Sequence, residues 1–441
     1  MTYRELLAGN ADFRRLWAGQ VVSEVGDWLN NIAVLALVIG LSEPGRTGLA
    51  VAAYAVARHL PLFLFGPVAG VVVDRVNRRR VMIAADLARA ALALGFLLAN
   101  RFSSLALVYA VGAALFAVSA FFNAAKRASI PNLVDATEEL LAANSLSAST
   151  TAATIAVGSA LGGVVATALG RDTVFVVNAL TFVGSALLIR RIKKPVSRRN
   201  EAAGLQPNSP VASVYQPSPL STLRRAASDF REGLRYVKGD RVLWAVFVVA
   251  GGWGLGNGAA RALYSIFGAH LGEQAAAGWG AGVRAIAERP TDFGISVLFV
   301  AMGLGGVLGA PVARRFNRGA SRDLGTRMGR SLVLDGAGLL VFSLMPGLFG
   351  AAAVLVAREM NFAIWWTAQQ TLLMKRTEDA FAGRVFASHE TLTTLTMVGS
   401  ILVSGAAADR VGVRAVAAGG GTVVILSGLL WFLLRPRDRE A

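Results

Sequence analysis

The first apolar stretch of the chain carries four polar side chains at helical spacing. Gln20, Glu24, Asp27 and Asn31 are separated by 4, 3 and 4 residues, which places all four on one face of a helix. A charge at the centre of a bilayer costs about 3 kcal/mol on insertion scales, so this face is not expected to meet lipid. We expect it to line a water-filled cavity or to meet a partner helix.

The carboxyl groups of this face are candidates for carrying a proton. Arg58, in the second apolar stretch, is predicted at a depth similar to that of Asp27, so these two residues can form an ion pair. In one interpretation, Glu24 or Asp27 binds a proton that the arriving substrate displaces. In the other, the ion pair is permanent and only fixes the first helix against the second.

Two further polar stripes occur in the seventh and tenth apolar stretches. Their members are Trp253, Asn257, Arg261, Tyr264, Arg358, Asn361, Trp365 and Gln369. Three such stripes predict one central cavity that binds a small molecule. Arg358 or Arg261 is expected to face it, and Trp365 either stacks on an aromatic or amphiphilic substrate or belongs to the helix packing.

The composition predicts an all-α integral membrane protein. The 441 residues are 54% hydrophobic and 16% charged, the mean hydropathy is +0.54, and a membrane-spanning helix needs about 20 apolar residues. No phosphate-binding loop of an ATP-hydrolysing domain is present, Cys is absent and the three His residues are far apart. We therefore expect no cofactor, no metal and no enzymatic activity.

About twelve transmembrane helices are predicted, in two six-helix bundles. The spans are expected near 12–40, 47–73, 81–99, 104–126, 139–169, 172–192, 240–270, 290–313, 329–346, 348–374, 385–408 and 412–434. The predicted domains are an N-terminal bundle over 1–192, a polar linker over 193–237 and a C-terminal bundle over 238–441. The linker is expected to end in an amphipathic helix at Leu223–Tyr236.

The distribution of charge predicts the topology. The net charge is +17, and most of the 44 Lys and Arg residues fall in every second predicted loop and at the two ends of the chain, with Lys126 and Arg127 assigned to one of these loops. This bias places both termini and the linker in the cytoplasm of a multi-pass inner (plasma) membrane protein. It also argues against nucleic acid as the partner of the basic residues. A monomer is the default expectation.

One sequence element occurs twice, at the end of the second predicted span and at the end of the eleventh, which is the same place within a repeat of three spans. Gly70–Arg79 reads Gly-Val-Val-Val-Asp-Arg-Val-Asn-Arg-Arg, and Gly405–Arg414 repeats Gly-Ala-Ala-Ala-Asp-Arg at the same spacing. Internal repeats of three helices are typical of transporters in which two halves rock around a central site.

The first of these elements resembles the loop signature of the major facilitator superfamily. Its signature residues, which imply a cytoplasmic gating motif, are Gly70, Asp74, Arg75, Arg78 and Arg79. Gly66 and Gly70 are expected to let the second span approach another helix closely. Asn77 stands where the superfamily usually has Gly, and we expect it to preserve the turn by adopting a positive φ.

Other segments resemble the macrolide-efflux and enterobactin-exporter branch of that superfamily. They include Gly26–Leu29, with the sequence Gly-Asp-Trp-Leu, and Asp86–Ala90. Gly158–Gly163 is similar to the antiporter signature, although Ser159 replaces its Pro; small residues that merely pack the fifth span against the eighth also fit this segment.

The resemblance implies proton-coupled efflux of a small amphiphilic molecule, a drug or a siderophore, by alternating access. It also implies that helices one, four, seven and ten line the site. The expected partners are a small-molecule substrate, a proton gradient and the lipid bilayer. Two alternatives stay open: an importer or facilitator of lysophospholipids or metabolites on the same fold, and a membrane sensor that transports nothing.

Overall fold

The regular structure of the chain is helical wherever it is described. The computed structural model describes residues 2–134, 137–196, 219–278, 288–317 and 321–435. A bilayer offers no water to backbone N–H and C=O groups. These long apolar runs are therefore most stable as helices, which satisfy their own backbone hydrogen bonds.

Fourteen helices lie in the described ranges, and we number them in chain order. They are α1 (Tyr3–Gly9), α2 (Ala11–Leu41), α3 (Thr47–Arg75), α4 (Arg78–Arg101), α5 (Leu105–Leu133), α6 (Thr137–Leu169), α7 (Arg171–Arg190), α8 (Pro219–Gly239), α9 (Arg241–Ala277), α10 (Pro290–Phe316), α11 (Ser321–Leu344), α12 (Leu348–Arg376), α13 (Asp379–Val411) and α14 (Val413–Leu434). The prediction of an all-helical membrane fold is confirmed.

Helices α2–α7 and α9–α14 correspond to the twelve predicted spans. Eleven helices in the described residues are long and apolar enough to cross a membrane, and α11 is the predicted span that is missing from this set. Arg327 and Arg330 in its first half, together with Asp335, lower its hydropathy. Asp335 is buried inside the protein rather than exposed to lipid, so its charge does not face the apolar phase.

The fourth span is longer than predicted. We expected it to end at residue 126, whereas α5 continues to Leu133, so Lys126 and Arg127 lie in the helix and not in a loop. The helix continues because Lys126, Ile130 and Leu133, spaced by 4 and 3 residues, form one buried face.

Residue contacts group the chain into two compact units. The first comprises Met1–Asp27, Ala57–Thr151 and Phe175–Ala227, and the second comprises Trp28–Val56, Ala152–Val174 and Ser228–Ala441. In the first unit α4 packs against α5. In the second, α9 packs against α10, α13 and α14, and α11 packs against α12 and α14. The predicted division into bundles at 192 and 238 stays a prediction.

The turn before α4 forms by a different device from the one expected. Asn77 has a φ of −59°, so the left-handed conformation that we expected there is not used. Its side chain instead caps α4: Oδ1 accepts hydrogen bonds from the backbone amides of Arg79 and Arg80, at 3.1 and 3.2 Å. Asn is among the residues that favour this position, because its side-chain oxygen satisfies amides that have no partner within the helix.

The second half of the linker is helical. Helix α8 includes the predicted Leu223–Tyr236 and packs against the beginning of α13. The ring of Tyr236 stacks on that of Phe381 with centroids 4.5 Å apart, and Ser388 Oγ donates to the carbonyl oxygen of Phe230 at 3.3 Å. The Pro-rich centre of the predicted linker, residues 206–210, lies outside the described residues.

Candidate functional site

Three helices of the first unit hold the carboxylate of Glu24. Its Oε1 lies 3.2 Å from Nζ of Lys126 on α5 and accepts a 2.8 Å hydrogen bond from Nε2 of Gln20, one turn earlier on α2. Gln20 is held by α6, because Ser147 Oγ donates to its Oε1 at 2.7 Å. Two of the predicted site residues are thus brought together around an ion pair.

Lys126 is a site residue that the sequence analysis missed. We had assigned it to a loop, but it is 91% buried within α5. A cation in a membrane span usually has a partner and a function. The helical spacing to Ile130 and Leu133 was the sequence signal that could have located it. Nothing local in the sequence indicated that its partner would be Glu24.

Arg89 of α4 lies between two carboxylates. Its Nη1 is 3.7 Å from Oδ2 of Asp27, and its Nη2 forms a hydrogen bond to Oδ1 of Asp86. The rings of Phe122 and Phe182 cover the guanidinium, with centroids 4.2 and 4.4 Å from Cζ, at distances typical of cation–π contacts. Two acidic groups therefore share one deeply buried cation.

The sequence predicts that Asp27 pairs with Arg58, and the structure adds Arg89, whose Nη1 lies 3.7 Å from Oδ2 of Asp27. Arg58 is half-buried, and its Cζ lies 4.8 Å from the centroid of the Phe116 ring. Asn31, the last member of the polar face of α2, is buried and belongs to the second unit. The predicted polar face is thus divided between the two units.

A second charged network is buried in the second unit. The Arg358 guanidinium of α12 lies 3.0 Å from the Asp335 carboxylate of α11. Its Nη2 donates to Oδ1 of Asn257 at 2.8 Å, and its Nη1 donates to Oη of Tyr264, both on α9. The predicted stripes of the seventh and tenth spans therefore meet, and Arg358 is the residue on which they converge.

The aromatic members of these stripes also meet. Trp253 and Trp365 stack with ring centroids 4.7 Å apart. One turn from Trp365, Gln369 is fully buried, and neither of its side-chain polar atoms has a hydrogen-bond partner among the described residues. Asn361 donates instead to the carbonyl oxygen of Ser331, at 2.7 Å. Arg261 is exposed.

The predicted gating motif joins the start of α4 to neighbouring helices. Arg78 donates to the carbonyl oxygen of Ala128 at 2.7 Å, and its guanidinium is 3.8 Å from Asp74. Arg79 donates to the carbonyl oxygen of Arg190, and Arg75 is exposed.

The close helix approach expected at Gly66 and Gly70 is absent from this structure. A Cβ placed on either glycine would have no heavy atom within 4 Å among the described residues, other than its own helix. Helix α3 makes its close approach at its other end, where Gly48 meets Gly405 of α13.

Small residues in the antiporter-like segment mediate helix packing. A Cβ on Gly162 would overlap the backbone of Leu29, and one on Gly163 would overlap the side chain of Ser296 on α10. Ser296 Oγ donates to the carbonyl oxygen of Ser159 at 2.7 Å. The packing of the fifth span against the eighth, the simpler of the two interpretations, accounts for this segment.

Metal chemistry finds no support in the geometry of the described part of the chain, where no three His, Asp or Glu side chains come together. The polar groups described above offer the chemistry of charge, through the networks around Arg89 and Arg358 and the ion pair between Glu24 and Lys126.

Comparison with known sequences identifies the relatives of the chain. The profile of the Major Facilitator Superfamily matches residues 16–398. BacE of Bacillus subtilis, a proposed bacilysin exporter, is 24% identical over 391 residues, which cover 88% of this chain and 86% of BacE. Macrolide efflux protein A of Streptococcus pyogenes is 22% identical over 418 residues, covering 94% and 93% of the two chains.

Solved structures share the fold. The crystal structure of a bacterial homologue of the iron transporter ferroportin, in an inward-facing state, matches with a TM-score of 0.68 at 14% identity and covers 97% of this chain and 99% of that one. The nucleoside transporter NupG (D323A mutant) matches with a TM-score of 0.65 at 11% identity, covering 96% and 100%. At these identities the likeness concerns the fold alone.

Proposed function

Because the chain belongs to the Major Facilitator Superfamily, and is therefore a transporter rather than an enzyme, we propose that it exports a small amphiphilic molecule in exchange for protons. The names of BacE and macrolide efflux protein A support the outward direction. The buried charges of the first unit support the coupling to protons.

The observation that carries the coupling is the shared cation Arg89. Asp86 has no exposed side-chain surface and holds Arg89 at close range, whereas the side chain of Asp27 is 22% exposed and 3.7 Å away. When two carboxylates lie against one cation they repel each other, and a proton on one of them relieves that repulsion. Asp27 is the more exposed of the two carboxylates, so we assign the proton to Asp27.

Glu24, the other predicted proton carrier, is engaged differently. Lys126 and Gln20 contact its carboxylate at 3.2 and 2.8 Å, so its negative charge is already compensated by a cation and a hydrogen bond. We therefore propose that Asp27, rather than Glu24, takes up and releases the proton.

The first experiment identifies a substrate by growth. Cells that lack or overproduce the protein are exposed to a panel of toxic amphiphiles, including erythromycin and ethidium, with and without an uncoupler that dissipates the proton gradient. The proposal predicts resistance in the overproducing cells that the uncoupler abolishes. Resistance that survives the uncoupler would contradict proton coupling.

The second experiment tests Asp27 directly, in proteoliposomes with a compound identified by growth. Asp27→Asn is expected to abolish proton movement driven by that compound while retaining substrate–substrate counterflow, which needs no net proton transfer. Glu43→Gln, at a 71% exposed side chain paired with Arg46, is the matched control and should behave as wild type. Unchanged coupling in Asp27→Asn would overturn the assignment.

The same vesicles decide between export and the alternatives. Substrate accumulation in inside-out vesicles supports an exporter, whereas accumulation in right-side-out vesicles supports the importer or facilitator of lysophospholipids or metabolites. No movement of any compound, with normal folding, supports a membrane sensor.

The location that we propose is the inner (plasma) membrane, with both termini cytoplasmic and the protein a monomer. The remaining excess of Lys and Arg in alternate loops supports this orientation, even with Lys126 and Arg127 placed inside α5. Cysteines introduced one at a time on the Cys-free chain, at residue 2 and in the 42–46 loop, test it by labelling from outside intact cells. Labelling of residue 2 rather than of the loop would reverse the topology.

A further inference from the structure

The Glu24–Lys126 ion pair is partly accessible although it lies within a bundle of apolar helices. The side chain of Glu24 is 20% exposed and that of Lys126 is 11% exposed. Ion pairs of this kind are weak devices for stability, because the loss of hydration of both charges offsets much of their attraction. Apolar side chains would hold α2 against α5 at least as well. We therefore expect the pair to have a role other than stabilising the fold.

The pair limits which ligands it can bind favourably. A ligand that is only a cation would compete with Lys126 for the carboxylate of Glu24. A ligand that is only an anion would compete with Glu24 for the ammonium group of Lys126. Leaving one charge of such a pair alone costs several kcal/mol. A ligand with both charges satisfies both residues, because its ammonium binds Glu24 while its carboxylate binds Lys126.

The geometry also limits the spacing of the ligand's charges. The carboxylate and ammonium groups of the pair are 3.2 Å apart, so the two charges of the ligand must be equally close to each other. Ammonium and carboxylate groups attached to one carbon meet this requirement, and a four-membered ring of alternating charges then forms. Gln20 fixes the position of Glu24 without adding a charge.

We propose that the Glu24–Lys126 pair recognises a compact zwitterion, the headgroup of an α-amino acid, on a substrate with an apolar remainder. The inference rests on the transport function proposed above and specifies its substrate class. Substrate and proton then use different carboxylates: Glu24 binds the ammonium group, and Asp27, three residues further along α2, remains available for the proton.

The test is a binding measurement on the purified full-length protein at neutral pH, without a gradient. The probes are L-phenylalanine, 2-phenylethylamine and 3-phenylpropionate, which share one apolar group and carry both charges, the cation alone or the anion alone. L-Phenylalanine is expected to bind at least about tenfold more tightly than either analogue, because each analogue leaves one charge of the pair without a partner. Equal affinities, or no measurable binding of L-phenylalanine, would overturn the proposal.

Variants of the pair give a readout that a purely structural role would not produce. Lys126→Gln is expected to make 2-phenylethylamine the preferred probe, and Glu24→Gln to make 3-phenylpropionate the preferred probe. A structural pair would change all three affinities by a similar factor and leave their order intact. Lys238→Gln, at an exposed position of α8, is the control and should keep the wild-type order.

A charge-reversed protein covers the case in which the single variants fail to fold. Glu24→Lys combined with Lys126→Glu keeps one ion pair and should retain the preference for L-phenylalanine; loss of that preference in the folded protein would contradict the proposal.

Failure of this inference can be distinguished from failure of the proposed function. Confirmed proton coupling without a zwitterion preference removes this inference alone, whereas a zwitterion preference with unchanged coupling in Asp27→Asn removes the proton assignment alone.

Discussion

The carboxylate of Asp409 on α13 caps the first turn of α3 at Gly48. Its Oδ1 accepts a hydrogen bond from the amide of Gly48 at 2.7 Å, and its Oδ2 accepts one from the amide of Leu49 at 2.9 Å. Gly48 and Gly405 make this possible, because a Cβ on either would overlap the carbonyl oxygen of the other. The repeated sequence element therefore builds an inter-helix cap in the second unit.

Removal of this cap should destabilise the protein. Asp409→Ala leaves two amides at the start of α3 without an acceptor and removes a negative charge from a helix N-terminus, which together cost about 1–2 kcal/mol of unfolding free energy. Asp74→Ala is the matched control, since Asp74 occupies the equivalent position in the other copy of the element but is 75% exposed. Thermal unfolding in detergent should show a lower midpoint for Asp409→Ala only. Equal shifts would contradict the capping role.

The pairing around Arg89 predicts a rescue. Arg89→Met should lower the unfolding free energy by about 3–5 kcal/mol, because it leaves the fully buried Asp86 without its cation. Adding Asp86→Asn should recover most of this loss by removing the uncompensated charge. Both proteins are compared by thermal unfolding and by yield after purification. A double variant no more stable than Arg89→Met would show that Asp86 is not the group Arg89 compensates.

Two glycines on one face of α10 should respond differently to the same substitution. A Cβ on Gly303 would overlap the backbone of Ala156 on α6, whereas a Cβ on Gly306 would lie 3.5 Å from the Cβ of Ala152, an ordinary contact. Gly303→Ala is therefore expected to cost about 1–3 kcal/mol through overpacking. Gly306→Ala should be neutral, or stabilising by about 0.5–1 kcal/mol, because Ala has the higher helix propensity. Unfolding midpoints in the reverse order would contradict the packing.

The fold was predictable because its main determinants are local. The length of the apolar runs and the position of the polar loops predicted the twelve long helices, eleven of which are apolar enough to span a membrane, since a membrane helix satisfies its hydrogen bonds within its own segment. The errors occurred where a tertiary contact changes the local preference. Lys126 lies inside α5 and pairs with Glu24 of α2, and Asn77 begins α4 as a cap rather than as a left-handed turn.

The site was predictable only in part, because spacing along one helix assigns faces but not partners. The stripes of α9 and α12 correctly grouped Asn257 and Tyr264, and separately Arg358, yet the ion pair between Arg358 and Asp335 depends on how α11 packs. Asp27 gave the same difficulty: we named Arg58 as its partner, and the structure adds Arg89. Distances between helices are properties of packing that no local pattern in a single sequence contains.

The network around Arg358 predicts that loss of its charged partner lowers the unfolding free energy more than loss of a neutral partner. Tyr264→Phe removes a hydroxyl that accepts a hydrogen bond from the charged Arg358 side chain, which we expect to cost about 1.5–3 kcal/mol. Asp335→Asn removes the anion 3.0 Å from a guanidinium that is 4% exposed, and leaving a buried cation unpaired costs about 3–5 kcal/mol. Asp335→Asn combined with Arg358→Met should recover part of that loss, because no unpaired charge remains. The unfolding midpoints of the three proteins test this order. If Tyr264→Phe lowered the midpoint as much as Asp335→Asn does, the hydroxyl rather than the carboxylate would be the main partner of Arg358.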